Sequence, residues 1–164
     1  MILVVNVGES QLDQVSEIEA RLAAEHDEDT IRAAALCGKL EMELAQMDDG
    51  EAAEFRGELG LSGESGLSRM IRLSYDVLGL ITFFTVGEDE DRAWPVERGT
   101  PAVKGAGKIH SDLERGFIRA EVVGYDDMIT CKTLAEARKR GVLRQEGKTY
   151  EIKDGDIMNI LFNV

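Results

Sequence analysis

The apolar positions of the chain begin as an unbroken run and then change to a helical spacing. MILVVNV, residues 1–7, ends at the turn Gly8-Glu9-Ser10, which is typical of a strand buried on both faces. Over residues 11–26 apolar residues recur every three or four positions, which predicts an amphipathic helix capped by Ser10. A second apolar run, residues 31–37, completes a strand–helix–strand unit, and a right-handed crossover makes its two strands parallel.

Three shorter segments with helical spacing follow between residues 39 and 80. They read KLEMELAQM, EAAEFRGELGL and GLSRMIRLSYDVLGL, and the loop LSGESG precedes the third. The third segment predicts a buried stripe formed by Leu67, Met70, Ile71, Tyr75 and Leu78. A stripe of this kind indicates core packing and not a cofactor site.

At residue 80 the pattern becomes that of strands. LITFFTVG and RAWPV, separated by an acidic turn, predict a hairpin, and FIRAEVVGY predicts a further strand after a weakly helical stretch. In that strand, alternation places Phe117 and Arg119 on one face and Ile118 and Ala120 on the other. TLAEARKRG predicts a short helix. The end of the chain predicts two strands joined by a tight hairpin turn at Asp154-Gly155.

This order of elements predicts two kinds of architecture. Residues 1–47 form an α/β portion, residues 48–79 form linking helices, and residues 80–164 form an α+β domain of the β-grasp type, a mixed sheet on one helix. Two strands and a helix cannot cover their own faces. We therefore expect the chain to begin inside a larger α/β domain.

The charge is unevenly distributed over these parts. The chain carries 19 basic and 32 acidic residues, a formal net charge of −13. Residues 1–99 contain 8 Lys and Arg against 22 Asp and Glu, whereas residues 100–164 contain 11 against 10. The acidic part repels polyanions, and the second part tolerates an anionic partner. Two domains with differently solvated surfaces would explain the same asymmetry.

Targeting and redox signals favour a cytoplasmic protein. The N-terminal run has no basic residue before it and no cleavage pattern, and no apolar run approaches the roughly 20 residues of a membrane helix. Cys37 and Cys131 are far apart and have no metal-type spacing. We therefore predict a reducing compartment, two free thiols and no membrane partner.

The motifs of phosphate and metal chemistry are missing from the sequence. No G-x-x-x-x-G-K-[ST] loop occurs, and Gly105 and Gly107 are too close together and misplaced for a dinucleotide fingerprint. His26 and His110 are isolated from each other and from the cysteines. The residues alone indicate no catalytic centre and no metal site.

A basic set around GKIHSDLERGFIRAE is the candidate binding surface. His110 can stack on a base or contact a phosphate, helped by the cations of the same stretch, which are Lys104, Lys108, Arg115 and Arg119. Alternatively, His110 bonds to Asp112 or to a backbone carbonyl and fixes the turn into the next strand. From the residues alone we favour this second, structural interpretation. Phe117 and Arg119 on an exposed sheet face would form a small nucleic-acid platform. A buried Phe117 with Arg119 at the edge of the sheet is at least as consistent with the residues.

Several stretches resemble the C-terminal portion of the YchF/Obg-like ATPases, which have a P-loop GTPase-type domain, a helical insertion and a C-terminal β-grasp domain called TGS. They are VVNVGE, the run from residue 58 to residue 94, AGKIHSDLERGFIRAEV and EGKTYEIKDGDIMNILFNV. The resemblance implies that residues 80–164 are TGS and that the first part is the end of the nucleotide domain. The phosphate loop and the magnesium ligands would lie upstream. Residues 102–105, Ala-Val-Lys-Gly, depart from the family's usual Ala-Pro-Gln-Ala.

The resemblance also implies a base-recognition site. Asn6, Val7 and Glu9 match the family's Asn-x-x-Glu motif, in which the asparagine contacts the purine and the glutamate weakens guanine recognition, so that ATP is preferred to GTP. Cys37 and Gly38 fall where the family closes the base pocket, and a backbone amide there would face the purine. Oxidation of Cys37 could then hinder nucleotide entry, although a small buried residue explains this cysteine more simply.

The function implied by this resemblance is that of a ribosome-associated, cytoplasmic ATPase. The complete protein would use ATP and Mg²⁺ and would bind the large subunit or its RNA, with no DNA partner. The present chain would bind no cofactor tightly and would be inactive alone. The alternative is a stand-alone TGS module that binds RNA or the ribosome without catalysis, and residues 38–79 could also serve only to brace TGS.

Overall fold

The computed structural model describes residues 1–26, 31–61, 64–87 and 90–163. The chain divides into two compact units, Met1–Leu78 and Gly79–Val164. The first unit has strands β1 (Ile2–Asn6) and β2 (Arg32–Leu36), a 3-10 helix (Glu9–Gln14), and helices α1 (Val15–Glu25), α2 (Gly38–Leu44), α3 (Asp49–Glu58) and α4 (Gly66–Leu78).

The strand–helix–strand unit predicted at the N-terminus is confirmed. Strands β1 and β2 pair in parallel, with Ile2 opposite Arg32 and Asn6 opposite Leu36. The carboxyl ends of both strands therefore lie at the same edge. The role predicted for Ser10 is wrong, because the chain enters the 3-10 helix with Gly8 as its N-cap and Ser10 lies inside that helix.

The core of the first unit lies between the small sheet and its helices. It contains Val7, Ala35, Cys37, Leu40, Leu44 and Ala52, with Leu12, Val15 and Ile18 packed against them. The last three residues belong to the helical spacing that the sequence shows over residues 11–26. The apolar pattern of that segment therefore identified its buried face.

The buried stripe predicted on α4 is wrong for three of its five residues, whereas Met70 and Tyr75 are half-buried. Leu67, Ile71 and Leu78 are each more than half exposed. Helix α4 lies against β1 and β2, and the half-buried residues Leu73 and Val77 belong to a different face. Periodicity shows that a helix is amphipathic, but α4 has apolar residues around much of its circumference, so the spacing did not specify which face is covered.

The second unit is a five-stranded mixed sheet with short helices. Its strands are β3 (Leu80–Val86), β4 (Asp91–Glu97), β5 (Phe117–Gly124), β6 (Arg144–Glu146) and β7 (Asp156–Phe162), in the spatial order β4-β3-β7-β5-β6. Strands β3 and β7 are parallel, and the other neighbouring pairs are antiparallel. The helices are α5 (Ala102–Ile109), α6 (Ser111–Arg115), α7 (Tyr125–Cys131) and α8 (Leu134–Lys139).

Two apolar clusters lie in this second unit. One packs α5 against the strands and contains Phe83, Val96, Ala106, Val122 and Met158, among others. The other joins the strands to α7 and α8 through Val123, Ile157, Cys131 and Ala137. Helix α7 is absent from the sequence prediction, which expected only one short helix after β5.

The hairpin predicted at Asp154-Gly155 is wrong. The turn exists, with Gly155 at φ 79°, but the residues before it do not form a strand against β7. Both edges of β7 are already occupied, by β3 and by β5. The preceding segment instead bonds to the start of α5: Tyr150 accepts from the Ala102 amide at 2.7 Å, and the Ile152 amide donates to Thr100 at 3.0 Å.

Strand β5 also departs from the simple alternation expected of it. The pairing with β7 shifts between Phe117, which lies opposite Phe162, and Arg119, which lies opposite Leu161. This β-bulge inserts Ile118 and reverses the alternation. Phe117 and Ala120 both belong to the cluster under α5, so the expectation that Phe117 and Arg119 share a face is wrong.

Candidate functional site

Asn6 and Gly38 are joined at the carboxyl ends of the two parallel strands. Asn6 is the last residue of β1. Cys37 follows the last residue of β2, and Gly38 is the first residue of α2. The Gly38 N–H donates a hydrogen bond of 2.9 Å to Oδ1 of Asn6. A Cβ atom at position 38 would lie 3.1 Å from the same oxygen, so the close approach of backbone and side chain favours glycine here.

Glu9 is held at this edge by a lysine. Lys39 Nζ lies 2.7 Å from Glu9 Oε1 and 3.9 Å from Glu43 Oε1. Hydrogen bonding to Glu9 is the main cause that raises the pKa of the Lys39 ammonium. Lys39 was not among the predicted site residues, although it completes the triplet Cys37-Gly38-Lys39, whose first two residues the resemblance places at the base pocket.

Val7 and Cys37 lie beneath this edge and not on its surface. Both are 4% exposed, and both pack in the core of the first unit with Leu40. The Val7 N–H donates to the Leu36 carbonyl at 3.0 Å, which extends the pairing of the two strands. Their side chains support the edge from inside, and the Cys37 thiol is shielded from solvent.

This arrangement leaves a defined set of polar groups at the surface. Because Asn6 Oδ1 accepts from Gly38, the amide group presents its Nδ2 hydrogens as donors to a ligand. Glu9 retains Oε2 as an acceptor, and Lys39 is a donor beside it. The backbone N–H of Gly38, which we expected to face a purine, is already engaged. Ligands of α/β sheets bind outside the carboxyl ends of the strands, which is where these groups lie.

Residues able to hold a metal ion do not gather at this edge. Within the ranges that the structure describes, no three His, Cys, Asp or Glu side chains form a metal-binding group. Glu9 is the nearest carboxylate to Asn6 in the motif, and its charge is balanced by Lys39. Among the described residues, this edge therefore presents hydrogen-bonding groups and an ion pair but no set of ligands for Mg²⁺.

Four of the five basic candidates lie on α5 and α6 or between them. Lys104 pairs with Glu114 at 2.6 Å, and Arg115 pairs with Asp112 at 2.8 Å. His110 is the N-cap of α6, and its Nδ1 accepts from the Asp112 N–H at 3.2 Å. This contact agrees with the structural interpretation of the histidine.

The fifth candidate, Arg119, is not brought together with the others. It follows the β-bulge on β5, and its neighbour Ala120 packs toward α5. Successive residues of a strand point to opposite faces of the sheet. Arg119 therefore belongs to the face opposite α5 and α6, and the basic set is divided between two faces of the second unit.

Helices long and apolar enough to span a bilayer were not found in the described part of the chain.

The family model YchF-GTPase_C, described as a protein of unknown function (DUF933), matches residues 80–163. The chain belongs to the YchF family. Residues 80–163 match the model of that family's C-terminal domain.

Relatives of known name extend the match beyond this domain. The ribosome-binding ATPase YchF of Escherichia coli O157:H7 is 47% identical over 93% of the chain, and that of Bacillus subtilis is 42% identical over the whole chain. The chain spans 40% and 45% of these two YchF proteins. The structure of the Schizosaccharomyces pombe YchF GTPase matches 98% of the chain and 43% of its own length, with a TM-score of 0.83 and 30% identity.

Proposed function

We propose that this chain is the C-terminal part of a cytoplasmic, ribosome-associated YchF-type ATPase. In this proposal, residues 1–47 belong to the nucleotide-binding domain, residues 48–79 link it to the next domain, and residues 80–164 form a TGS domain of β-grasp fold. The chain would supply the edge that contacts the nucleotide base. Its role is therefore recognition and not bond cleavage.

The hydrogen bond between Gly38 and Asn6 is the observation that carries this proposal. It joins the two motifs implied by the resemblance, Asn-x-x-Glu and Cys-Gly-Lys, at the carboxyl edge of a parallel strand pair. The bond orients the Asn6 amide so that its Nδ2 donates toward N7, which is an acceptor in both adenine and guanine. Glu9, three residues later, stands beside the same edge.

The engaged Gly38 amide supports ATP over GTP. Guanine presents O6, an acceptor, where adenine presents the N6 amino group, a donor. A purine at this edge does not meet a free backbone donor at position 38, because the Gly38 N–H already bonds to Asn6. Guanine O6, an acceptor, would therefore find no free donor at Gly38. Adenine N6 is itself a donor and does not need one.

ATP hydrolysis is assigned in this proposal to groups that the chain does not contribute. The sequence contains no G-x-x-x-x-G-K-[ST] motif, and the residues at the Asn6 edge do not fit Mg²⁺. Phosphoryl transfer depends on phosphate-binding amides, a lysine and a metal ion. We therefore assign no catalytic step to the residues of this chain.

The order of strands supports a β-grasp assignment for the second unit. The order β4-β3-β7-β5-β6, with parallel β3 and β7 at the centre and α5 packed on one face, agrees with a mixed sheet folded around a helix. Its separate apolar core also favours the alternative function, a TGS module that binds the ribosome without catalysis. The names of the relatives, which describe ribosome-binding proteins, support a ribosomal partner in both cases.

A titration of the chain with nucleotides, followed by amide resonances in NMR, tests the base-recognition proposal. We expect ATP at millimolar concentration to shift the resonances of residues 6–9 and 37–39, with GTP producing smaller shifts. Asn6→Ala should abolish these shifts because it removes the donor to N7. Asn163→Ala replaces an exposed asparagine whose hydrogen bond to Gly116 is made by the backbone, and it is the matched control. Equal shifts in wild type and Asn6→Ala would refute the proposal.

A further inference from the structure

Helix α7 has apolar residues on two faces, and only one of them is covered. Met128 and Cys131 pack inward with Val123 and Ile157. On another face of the same helix, Tyr125 is 50% exposed and Ile129 is 60% exposed. Positions 125 and 129 are one helical turn apart, so these two side chains are neighbours.

The exposed face of α7 continues onto strand β3. The rings of Tyr125 and Phe84 lie 6.1 Å apart, centroid to centroid. Val86 lies two residues after Phe84 and so on the same side of the strand, and it is also substantially exposed. We call Val86, Tyr125 and Ile129, together with the half-buried Phe84, the α7 patch. Contiguous exposed apolar surface of this kind marks sites of interaction.

Carboxylates border the α7 patch. Asp91 lies directly across from Val86 in the β3–β4 pairing, and Asp126 follows Tyr125 in the first turn of α7. Asp127 lies on the other side of that helix, at a cavity that Arg144 and Lys153 also line. Among the residues that the structure describes, neither Asp91 nor Asp126 is in an ion pair, and Arg92, the residue after Asp91, pairs with Glu90 instead. Lys132 follows the far end of α7, so the border is acidic at the Tyr125 end.

From this combination we propose that the α7 patch docks a cationic segment of a ribosomal protein, which inserts an apolar side chain against Tyr125 and Ile129. Charge complementarity decides the class of partner. Unpaired carboxylates repel the phosphates of RNA and attract lysine and arginine, and ribosomal proteins are mostly basic. An exposed tyrosine is also a common anchor of protein interfaces. The inference rests on the proposed ribosome association and names the surface through which it occurs.

Co-sedimentation of the chain with salt-washed ribosomes tests this docking surface. We expect Tyr125→Ala and Ile129→Ser to weaken binding about tenfold each, as truncation of interface anchors does. Asp91→Asn together with Asp126→Asn should weaken binding less and should reduce its sensitivity to salt. Ile118→Ser is the matched control, because Ile118 is 56% exposed but lies in the bulge of β5, outside the α7 patch. The control should bind like wild type.

A photo-crosslinking amino acid in place of Ile129 identifies what touches the patch. Crosslinks to a ribosomal protein support the inference, and crosslinks to ribosomal RNA overturn it. If the wild-type chain sediments with ribosomes and the Tyr125 and Ile129 variants do so equally, only this inference fails. If the wild-type chain does not sediment at all, the ribosome association and this inference fail together. A dimer of the chain that Ile129→Ser abolishes would assign the patch to a second copy and overturn the inference.

Discussion

The hydroxyl of Tyr150 donates a hydrogen bond of 2.8 Å to Oδ2 of Asp156, a carboxylate that is 3% exposed. The same carboxylate accepts from the Lys153 backbone N–H at 2.9 Å and from Arg144 at 3.3 Å. The three bonds join the segment before β7 to strand β6. They hold in place the stretch that the sequence analysis expected to be a strand.

This contact gives Tyr150 a distinct titration. Burial, followed by the hydrogen bond to Asp156, raises its pKa from 10.0 to about 12. The folded chain therefore holds the phenol proton more tightly than the unfolded chain, and the stabilisation present below pH 10 is lost as the pH rises through 12. Ultraviolet absorbance of phenolate should show one late-titrating tyrosine, and Tyr150→Phe should remove that step. A late step that survives in Tyr150→Phe would refute the assignment.

Removal of the Asp156 carboxylate should destabilise the second unit strongly. Asp156→Ala leaves the Tyr150 hydroxyl and the Lys153 amide without their acceptor, and we expect a loss of about 3 kcal/mol in the free energy of unfolding. Asp154→Ala is the comparison, because Asp154 accepts one hydrogen bond, from the Thr82 N–H at 2.8 Å. Asp154→Ala should lower the free energy of unfolding by about 1 kcal/mol. Urea denaturation measures both, and equal losses would contradict this account.

Gly116 should not tolerate a side chain. A Cβ atom there would lie 2.4 Å from the carbonyl oxygen of Asn163, whose own N–H donates to Gly116 at 2.9 Å. The backbone of Asn163 cannot move aside as the end of a flexible side chain can. Gly116→Ala should therefore lower the free energy of unfolding by about 2 kcal/mol. At Gly147 a Cβ would meet nothing within 4 Å, and Gly147→Ala is the control. Equal melting temperatures for the two variants would be inconsistent with the predicted clash.

The division of the basic residues between two faces predicts separable effects on ribosome binding. If the α5–α6 face contacts RNA, replacing Lys108 and Arg115 with alanine should weaken salt-sensitive co-sedimentation, whereas Arg119→Ala alone should have little effect. Replacing Arg98 and Lys139, which lie outside α5 and α6, controls for net charge. A large effect of Arg119→Ala with none from the Lys108 and Arg115 variant would move the RNA contact to the other face.

The chain by itself should not hydrolyse ATP. In the proposed division of roles, the chain supplies the edge at Asn6 and Gly38 for contact with the base, and its sequence has no phosphate-loop motif. A phosphate-release assay on the purified chain should give the rate of buffer alone. Turnover above that rate, abolished by Asn6→Ala, would show that our division of roles is wrong.

The candidate site was predictable where its signal is local. Asn6, Glu9 and Gly38 were predicted because short motifs in the chain resemble those of a known family, and the structure places all three at one edge of the strand pair. The parallel pairing follows from the crossover rule. Lys39 was missed because its significance depends on Glu9, thirty residues away in sequence and in ion-pair contact only after β1 and β2 have paired. Arg119 and Lys108 lie on different faces of the second unit because one extra residue is inserted in β5. The alternation of side chains along a strand cannot reveal such a bulge from the sequence.

The sequence by itself determined the type and order of most elements, because apolar periodicity is a property of neighbouring residues. It identified β1, β2, the β3–β4 hairpin and the family to which the chain belongs. Only the tertiary structure decided which side of α4 is covered, and that the segment before Asp156 is excluded from the sheet. Those outcomes depend on competition for a limited number of surfaces and strand edges: β7 has two edges, and β3 and β5 occupy both.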